Sequence, residues 1–164
     1  MLQLNIMIRR AEDRENKTLT SISFAAKRYW KYPEEYFEVW KDELTITPDY
    51  ITQNEVHVAK VDGKVVGFIS IVEVKNDFKA GDLLIRKGYW LDHIFVHPSF
   101  IGNRIGSELI FFAKGLCKEK NISCLHILSE PNAKGFYDRI GAQFIEAVPS
   151  NIKGRTVSLY KFPI

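Results

Sequence analysis

Hydrophobic and polar positions change period several times along the chain, and the changes predict its elements. Residues 5–10 alternate weakly and predict a first strand. From 12 to about 29 the pattern is helical, with Leu19, Ile22, Ala26 and Tyr29 recurring at three- and four-residue steps. Pro33 fits the first turn of a second helix, PEEYFEVWKDEL. Its early Glu34 and Glu35 suit the positive end of the helix dipole, and Phe37, Trp40 and Leu44 share one face. Thr47 and Pro48 then break the helix. Residues 55–61 and 64–75 flank Asp62-Gly63, the strongest short signal for a hairpin. Residues 76–88 are polar and read either as a loop or as an extension of the strands around them.

Residues 89–96 form the next strand, with Asp92, Ile94 and Val96 on one face and Leu91, His93 and Phe95 on the other. Pro98 ends it. A long helix starts near 102–104 and runs to about 120, with Ile105, Leu109, Phe112 and Leu116 as its apolar stripe. Residues 123–129 are continuously apolar, which fits a buried strand. Residues 132–140 predict a short helix closed by Gly141 as a C-cap, and 143–148 and 156–162 the last two strands. The order is β-α-α-β-β-β-α-β-α-β-β, an α/β mixture with antiparallel hairpins and one crossover.

Composition narrows the class. At 164 residues, 46% hydrophobic and 26% charged, the chain fits one globular domain. It has no apolar run long enough to span a membrane, and MLQLNIMIRR lacks the features of a signal peptide. Two cysteines make no metal framework, so a reduced, cytoplasmic protein is the simplest reading. The net charge of +3 suits an anionic small ligand but is too weak and dispersed for nucleic acid.

The candidate chemistry lies after the central strand. In FIGNRIG, Gly102 and Gly106 either make a simple turn or let the backbone approach a ligand at a helix start, where unpaired N–H groups and the dipole favour phosphate. The segment LDHIFVHPSFIGNRIGSELI (91–110) resembles the acetyl-CoA binding motif of the GCN5-related N-acetyltransferase (GNAT) family in its strand, its Val-His-Pro exit, its spacing and its helix. About thirty residues on, EPNAKGFYDRIGAQFI (130–145) resembles the second signature of that family. AKRYWKYP and VPSNIKGR also look like segments of one branch of it. Two signatures in order are far more specific than either alone.

The resemblance implies an α/β, single-domain GNAT-like (acyl-CoA N-acyltransferase) fold, a central mixed, mostly antiparallel sheet flanked by helices. It implies acetyl transfer from acetyl-CoA, as cosubstrate, to a primary-amine acceptor, either a small molecule or a protein amine, with a homodimer among the assemblies such proteins form. By the same resemblance the cofactor contacts are Ile94, Phe95, Val96, Gly102, Asn103, Arg104, Ile105, Gly106, Ser107, Asn132 and Phe136. Tyr137 is the implied donor to the leaving thiolate, or else a packed helix tyrosine, and Asp92 the implied base or water-ordering carboxylate, or else a hydrogen-bonded structural or substrate-binding one. Tyr29, Trp30 and Tyr32 either stack on an acceptor cation or, for the first two, anchor a helix end in the core. Asn132 serves the cofactor, caps a helix, or both. His93 reads as a sheet-face histidine, His97 as exposed, and His57 and His126 as structural. No metal is implied.

The chain also departs from the family pattern. Ile101 stands where Arg or Gln is usual and Arg104 where Gly is usual. Arg104 either pairs with a phosphate or is a solvated first-turn residue. These departures leave open an impaired acyl-CoA sensor on the same fold.

Overall fold

A computed structural model describes residues 4–164 of the chain. Among the described residues nine strands and five α-helices succeed one another: β1 (Ile6–Arg10), α1 (Asn16–Arg28), α2 (Glu34–Leu44), α3 (Pro48–Gln53), β2 (Glu55–Val61), β3 (Lys64–Val74), β4 (Phe78–Ala80), β5 (Leu83–Ile85), β6 (Gly88–Val96), α4 (Ile105–Glu119), β7 (Cys124–Ser129), α5 (Lys134–Arg139), β8 (Gln143–Pro149) and β9 (Thr156–Pro163). Seven strands form one sheet in the order β1-β2-β3-β6-β7-β9-β8, and β4 and β5 form a separate two-stranded sheet. The pair β6–β7 is parallel, whereas β1–β2, β7–β9 and β8–β9 are antiparallel.

The described residues divide into two compact units, residues 4–70 with 93–113 and residues 71–92 with 114–164. The first is built on an apolar cluster of Ala11, Leu19, Ile22, Ile46, Ile51, Val56, Val58 and Phe68. Leu19 and Ile22 come from α1, at the helical spacing that the sequence shows. Ser23, on the same buried face, donates its hydroxyl to the Leu44 carbonyl, one of the last α2 carbonyls without an intrahelical partner. In the second unit Leu125, Ile127, Tyr160 and Phe162 are fully buried. They fall in register across β7 and β9, Leu125 opposite Phe162 and Ile127 opposite Tyr160.

Several boundaries differ from the sequence reading. Pro33 is the N-cap of α2 and not part of its first turn. Thr47 and Pro48 end nothing: they open α3, with Thr47 Oγ1 accepting from the Tyr50 N–H at 3.0 Å and Pro48 in the first turn. A six-residue helix holds too few apolar positions to show a period. Residues 76–88 hold the β4–β5 hairpin. The buried stripe of α4 runs through Ile105, Leu109, Ala113 and Cys117, one position off the predicted Phe112 and Leu116, which are half-buried. Strand β7 alternates, with Leu125, Ile127 and Ser129 buried and the residues between them half-buried, Cys124 included. The Asp62-Gly63 turn is as predicted, both residues at positive φ (50° and 78°). Among the described residues no helix is long and apolar enough to cross a membrane.

Candidate active site

In the first unit, the end of β6 is held from beneath. His93 is 5% exposed, its ring 5.4 Å from Phe95 and 5.9 Å from Tyr50. Its backbone N–H donates to Ser70 Oγ at 3.1 Å, and Ser70 Oγ lies 2.8 Å from the Tyr50 hydroxyl. Sequence reasoning placed His93 correctly on a packed face but missed Ser70 and Tyr50, because their partners are twenty or more residues away. The Phe95 carbonyl approaches Gly67 so closely that a Cβ there would stand 2.9 Å from it. Gly67 is thus what lets β3 and β6 pack closely at the residue expected to line the cofactor.

Past β6 the chain turns tightly. His97 is half-buried, a correction to the exposed position expected for it: its Nδ1 accepts from the Ser99 N–H at 3.1 Å and ties the ring to the turn. The Phe100 N–H bonds the His97 carbonyl at 2.9 Å, and the Asn103 side chain donates to the Phe100 carbonyl at 3.2 Å. Gly102 (φ 86°) and Arg104 (φ 63°) both take left-handed backbone, so Arg104 adopts the conformation for which glycine is favoured. Ile101 is exposed. The first helical bond of α4 runs from the Glu108 N–H to the Arg104 carbonyl at 3.0 Å. The N–H groups of Ile105, Gly106 and Ser107 therefore have no carbonyl one turn back and face outward at the positive end of a 15-residue helix. A hollow of about 430 Å³ opens beside Asn103, Arg104 and Glu108.

Asp92 lies on the same strand as Ile94 and is exposed. In the second unit Tyr137 is buried on α5, with ring neighbours Phe136 at 5.4 Å and Tyr160 at 5.8 Å. Burial pushes its phenol well above the ordinary value, and the charge of Glu130 pushes the same way. A phenol of this kind stays protonated at any physiological pH and acts as a hydrogen-bond donor. Asn132 is exposed and is not the helix cap: the N-cap of α5 is Ala133, because residues 131–133 form their own short turn first. Gly141 (φ 91°) closes α5, the Ala142 N–H bonding back to the Tyr137 carbonyl at 3.1 Å.

The aromatic segment between α1 and α2 separates into two parts. Tyr29 and Trp30 are exposed, at 49% and 46%, and stack edge to face at 4.9 Å, so neither anchors the core. Tyr32 joins a cluster with Trp40 at 5.1 Å and Tyr36 at 6.1 Å. The Lys27 ammonium sits 4.4 Å from the Trp40 ring centroid and 5.8 Å from that of Tyr32. Among the described residues no cluster of His, Cys, Asp and Glu is arranged to hold a metal.

A strand, a left-handed turn and a helix whose first amides are open make a geometry that can receive an anion. The model of the Acetyltransferase (GNAT) family matches residues 21–142, and the chain belongs to that family. Among solved structures it resembles a GCN5-related N-acetyltransferase from Rhodopseudomonas palustris, at 18% identity and a TM-score of 0.77, over 100% of this chain and 99% of that one. It also resembles the PaiA N-acetyltransferase of Thermoplasma acidophilum, solved in complex with coenzyme A, at 16% identity and a TM-score of 0.71, over 98% of this chain and 99% of that one. A third is Arabidopsis thaliana Naa50 in complex with a bisubstrate analogue, at 17% identity and a TM-score of 0.68, over 97% and 99%. At these identities the likeness is one of fold. No curated protein matches the chain by sequence.

Proposed function

We propose that this chain, acting as one acetyltransferase domain, transfers the acetyl group of acetyl-CoA directly to the nitrogen of an amine. The observation that carries this reading is the turn in which Gly102 and Arg104 take left-handed backbone, opening onto the free first-turn amides of α4. Those residues fit a diphosphate: amides for its oxygens, the dipole for its charge, and the Arg104 guanidinium at the rim. Solved relatives of the same fold hold coenzyme A or a bisubstrate analogue.

Each remaining requirement has a candidate. Among the described residues the parallel ladder of β6 with β7 takes up Trp90 and Leu91 and stops there, which supports assigning the backbone of Ile94, Phe95 and Val96 to the pantetheine arm. An N–H of Ile94 or Phe95 is assigned to the oxyanion. Asn132 and Phe136 are assigned to the cofactor and Tyr29, Trp30 and Tyr32 to the acceptor. An acceptor amine of pKa near 10.4 arrives as ammonium and must lose a proton. Asp92, exposed at the strand, is assigned to receive that proton or to order the water that does. The nitrogen lone pair attacks the thioester carbon, the C–N bond forms, the C–S bond breaks, the sulfur leaves as thiolate, and the nitrogen releases its second proton to solvent to give the neutral amide. A coenzyme thiol has a pKa of about 8.5, below that of a phenol raised above its usual ~10, so full proton transfer from Tyr137 is uphill. Tyr137 therefore acts by a hydrogen bond to sulfur, and solvent completes the protonation.

The test is calorimetric titration with acetyl-CoA, with coenzyme A and ADP as comparators, followed by thiol release over a panel of amines. Micromolar acetyl-CoA binding, clearly weaker ADP binding and amine-dependent thiol release are the expected results. Folded protein that binds no acetyl-CoA, or that binds ADP equally well, overturns the reading.

A further inference from the structure

A second cavity, not used by the acetyl-transfer reading, lies wholly within the second unit. Its volume is about 560 Å³, in the range of small-molecule sites. Its floor is a face of the sheet. Trp90 pairs with His126 and His126 with Lys161, so the three stand in one row across β6, β7 and β9. Leu159, two residues from Lys161, shares its face and lies opposite Glu146 of β8. The β4–β5 hairpin adds Leu83 and Leu84 to the walls.

The chemistry of this cavity is mixed in a specific way. Trp90 and His126 form an aromatic wall, their centroids 5.0 Å apart and their planes tilted by 37°. The Trp90 N–H is already committed to the Arg86 carbonyl at 2.9 Å, so the indole offers its ring and not a donor. Burial, reinforced by the Lys161 charge, holds the His126 pKa below its ordinary value, so at neutral pH the imidazole adds surface rather than charge. Lys161 and Glu146 are both exposed at the edge of this wall, and among the described residues no ion pair joins them. The lining carries two cations, Lys161 and Arg86, and two carboxylates, Glu146 and Asp82. Arg86 already faces Asp77 at 3.8 Å. A wall of tilted rings edged by Lys161 and Glu146 is complementary to a ligand carrying a ring and both charges. A plain amine leaves Lys161 without a counter-charge, and a plain carboxylate leaves Glu146 without one.

We propose that this cavity binds a small aromatic zwitterion of the aromatic amino acid type. The ring lies against Trp90 and His126, the carboxylate at Lys161 and the ammonium at Glu146. The proposal is independent of acetyl transfer, because it concerns binding to the chain without acetyl-CoA.

The experiment titrates the full chain, without acetyl-CoA, with L-phenylalanine, by calorimetry and by indole fluorescence in parallel. Saturable binding in the ~0.1–1 mM range is expected, with a change in emission that is lost in Trp90→Phe. Phenethylamine and 3-phenylpropionate, each lacking one charge, should bind at least about tenfold more weakly. Lys161→Met should weaken L-phenylalanine about tenfold while leaving phenethylamine nearly unchanged, and Glu146→Gln should do the same with 3-phenylpropionate as the unaffected probe. Thermal unfolding of the two exposed-site variants verifies that they fold. Absence of saturable heat by about 10 mM overturns the proposal. So do equal affinities for the three probes, or wild-type binding in both charge variants.

Discussion

Arg104 holds a left-handed backbone (φ 63°) that costs an L-residue roughly 1–2 kcal/mol. Glycine would remove that cost but add about 0.5–1 kcal/mol of unfolded-chain entropy. Arg104→Gly should therefore stabilise the fold by up to about 1 kcal/mol while weakening acetyl-CoA, because the guanidinium is gone. Thermal melts and calorimetry read the two effects separately, and unchanged cofactor affinity would return Arg104 to a solvated role. Tyr137→Phe should leave acetyl-CoA affinity nearly unchanged and lower turnover about 10- to 100-fold, the worth of one hydrogen bond to a charged sulfur. A wild-type rate would remove Tyr137 from the reaction. At this scale the sequence names candidates but not their surroundings. The string around Tyr137 singled it out, whereas its raised pKa comes from burial and from Glu130, which only the folded chain brings to bear. Asp92 was legible as a strand position, but its exposure was not. For the same reason Asp92→Asn is informative. If it raises only the acceptor KM, Asp92 binds the acceptor and does not handle its proton.

The β3–β6 pairing shows how an element positions the chemistry. A methyl group at Gly67 would stand 2.9 Å from the Phe95 carbonyl, and that atom is backbone, which cannot swing aside. Gly67→Ala should cost about 1–3 kcal/mol by urea denaturation and also reduce acetyl-CoA affinity, since the displaced residue is one assigned to the pantetheine. A loss of stability with full cofactor affinity would separate Phe95 from the binding strand. Elements with a long period were legible: α1, α2 and α4 each show several apolar turns, and Asp62-Gly63 announced its hairpin. The elements that escaped are short. α3 has six residues and β4 and β5 have three each, below the length at which period 3.6 or period 2 can be read. The sheet order escaped too, because periodicity says nothing about which strands pair. The cavity beneath the hairpin depends on both, which is why Lys161 and Glu146 carried no signal in the sequence.

At the scale of the whole molecule, the buried weak acids of the second unit set its alkaline limit. Burial pushes the Cys117 thiol up to about 11. Burial first, then the 2.7 Å bond and charge of Asp138, push the Tyr160 phenol up to about 12, and Tyr137 is raised in the same direction. In the unfolded chain a cysteine loses its proton near pH 8.5 and a tyrosine near pH 10. Between those values and the raised folded ones, the unfolded chain binds fewer protons than the folded chain, so stability falls as pH rises. The fall should begin with Cys117 above about pH 8.5 and steepen past pH 10, when the two tyrosines join, at about 1.4 kcal/mol per pH unit for each proton. The first unit has the opposite sensitivity. The hydrogen bond from Arg9 holds the Glu15 carboxyl below its ordinary range, so that contribution is present at neutral pH and is lost as pH falls through the lowered pKa. Urea unfolding from pH 2 to 11 should therefore show a plateau with two shoulders of different origin. Cys117→Ala should delay the onset of the alkaline shoulder, and Glu15→Gln should flatten the acid one without touching the other. A stability profile that stays level from pH 8 to 10.5 would mean that these groups are hydrated in the folded chain and that the alkaline limit lies elsewhere.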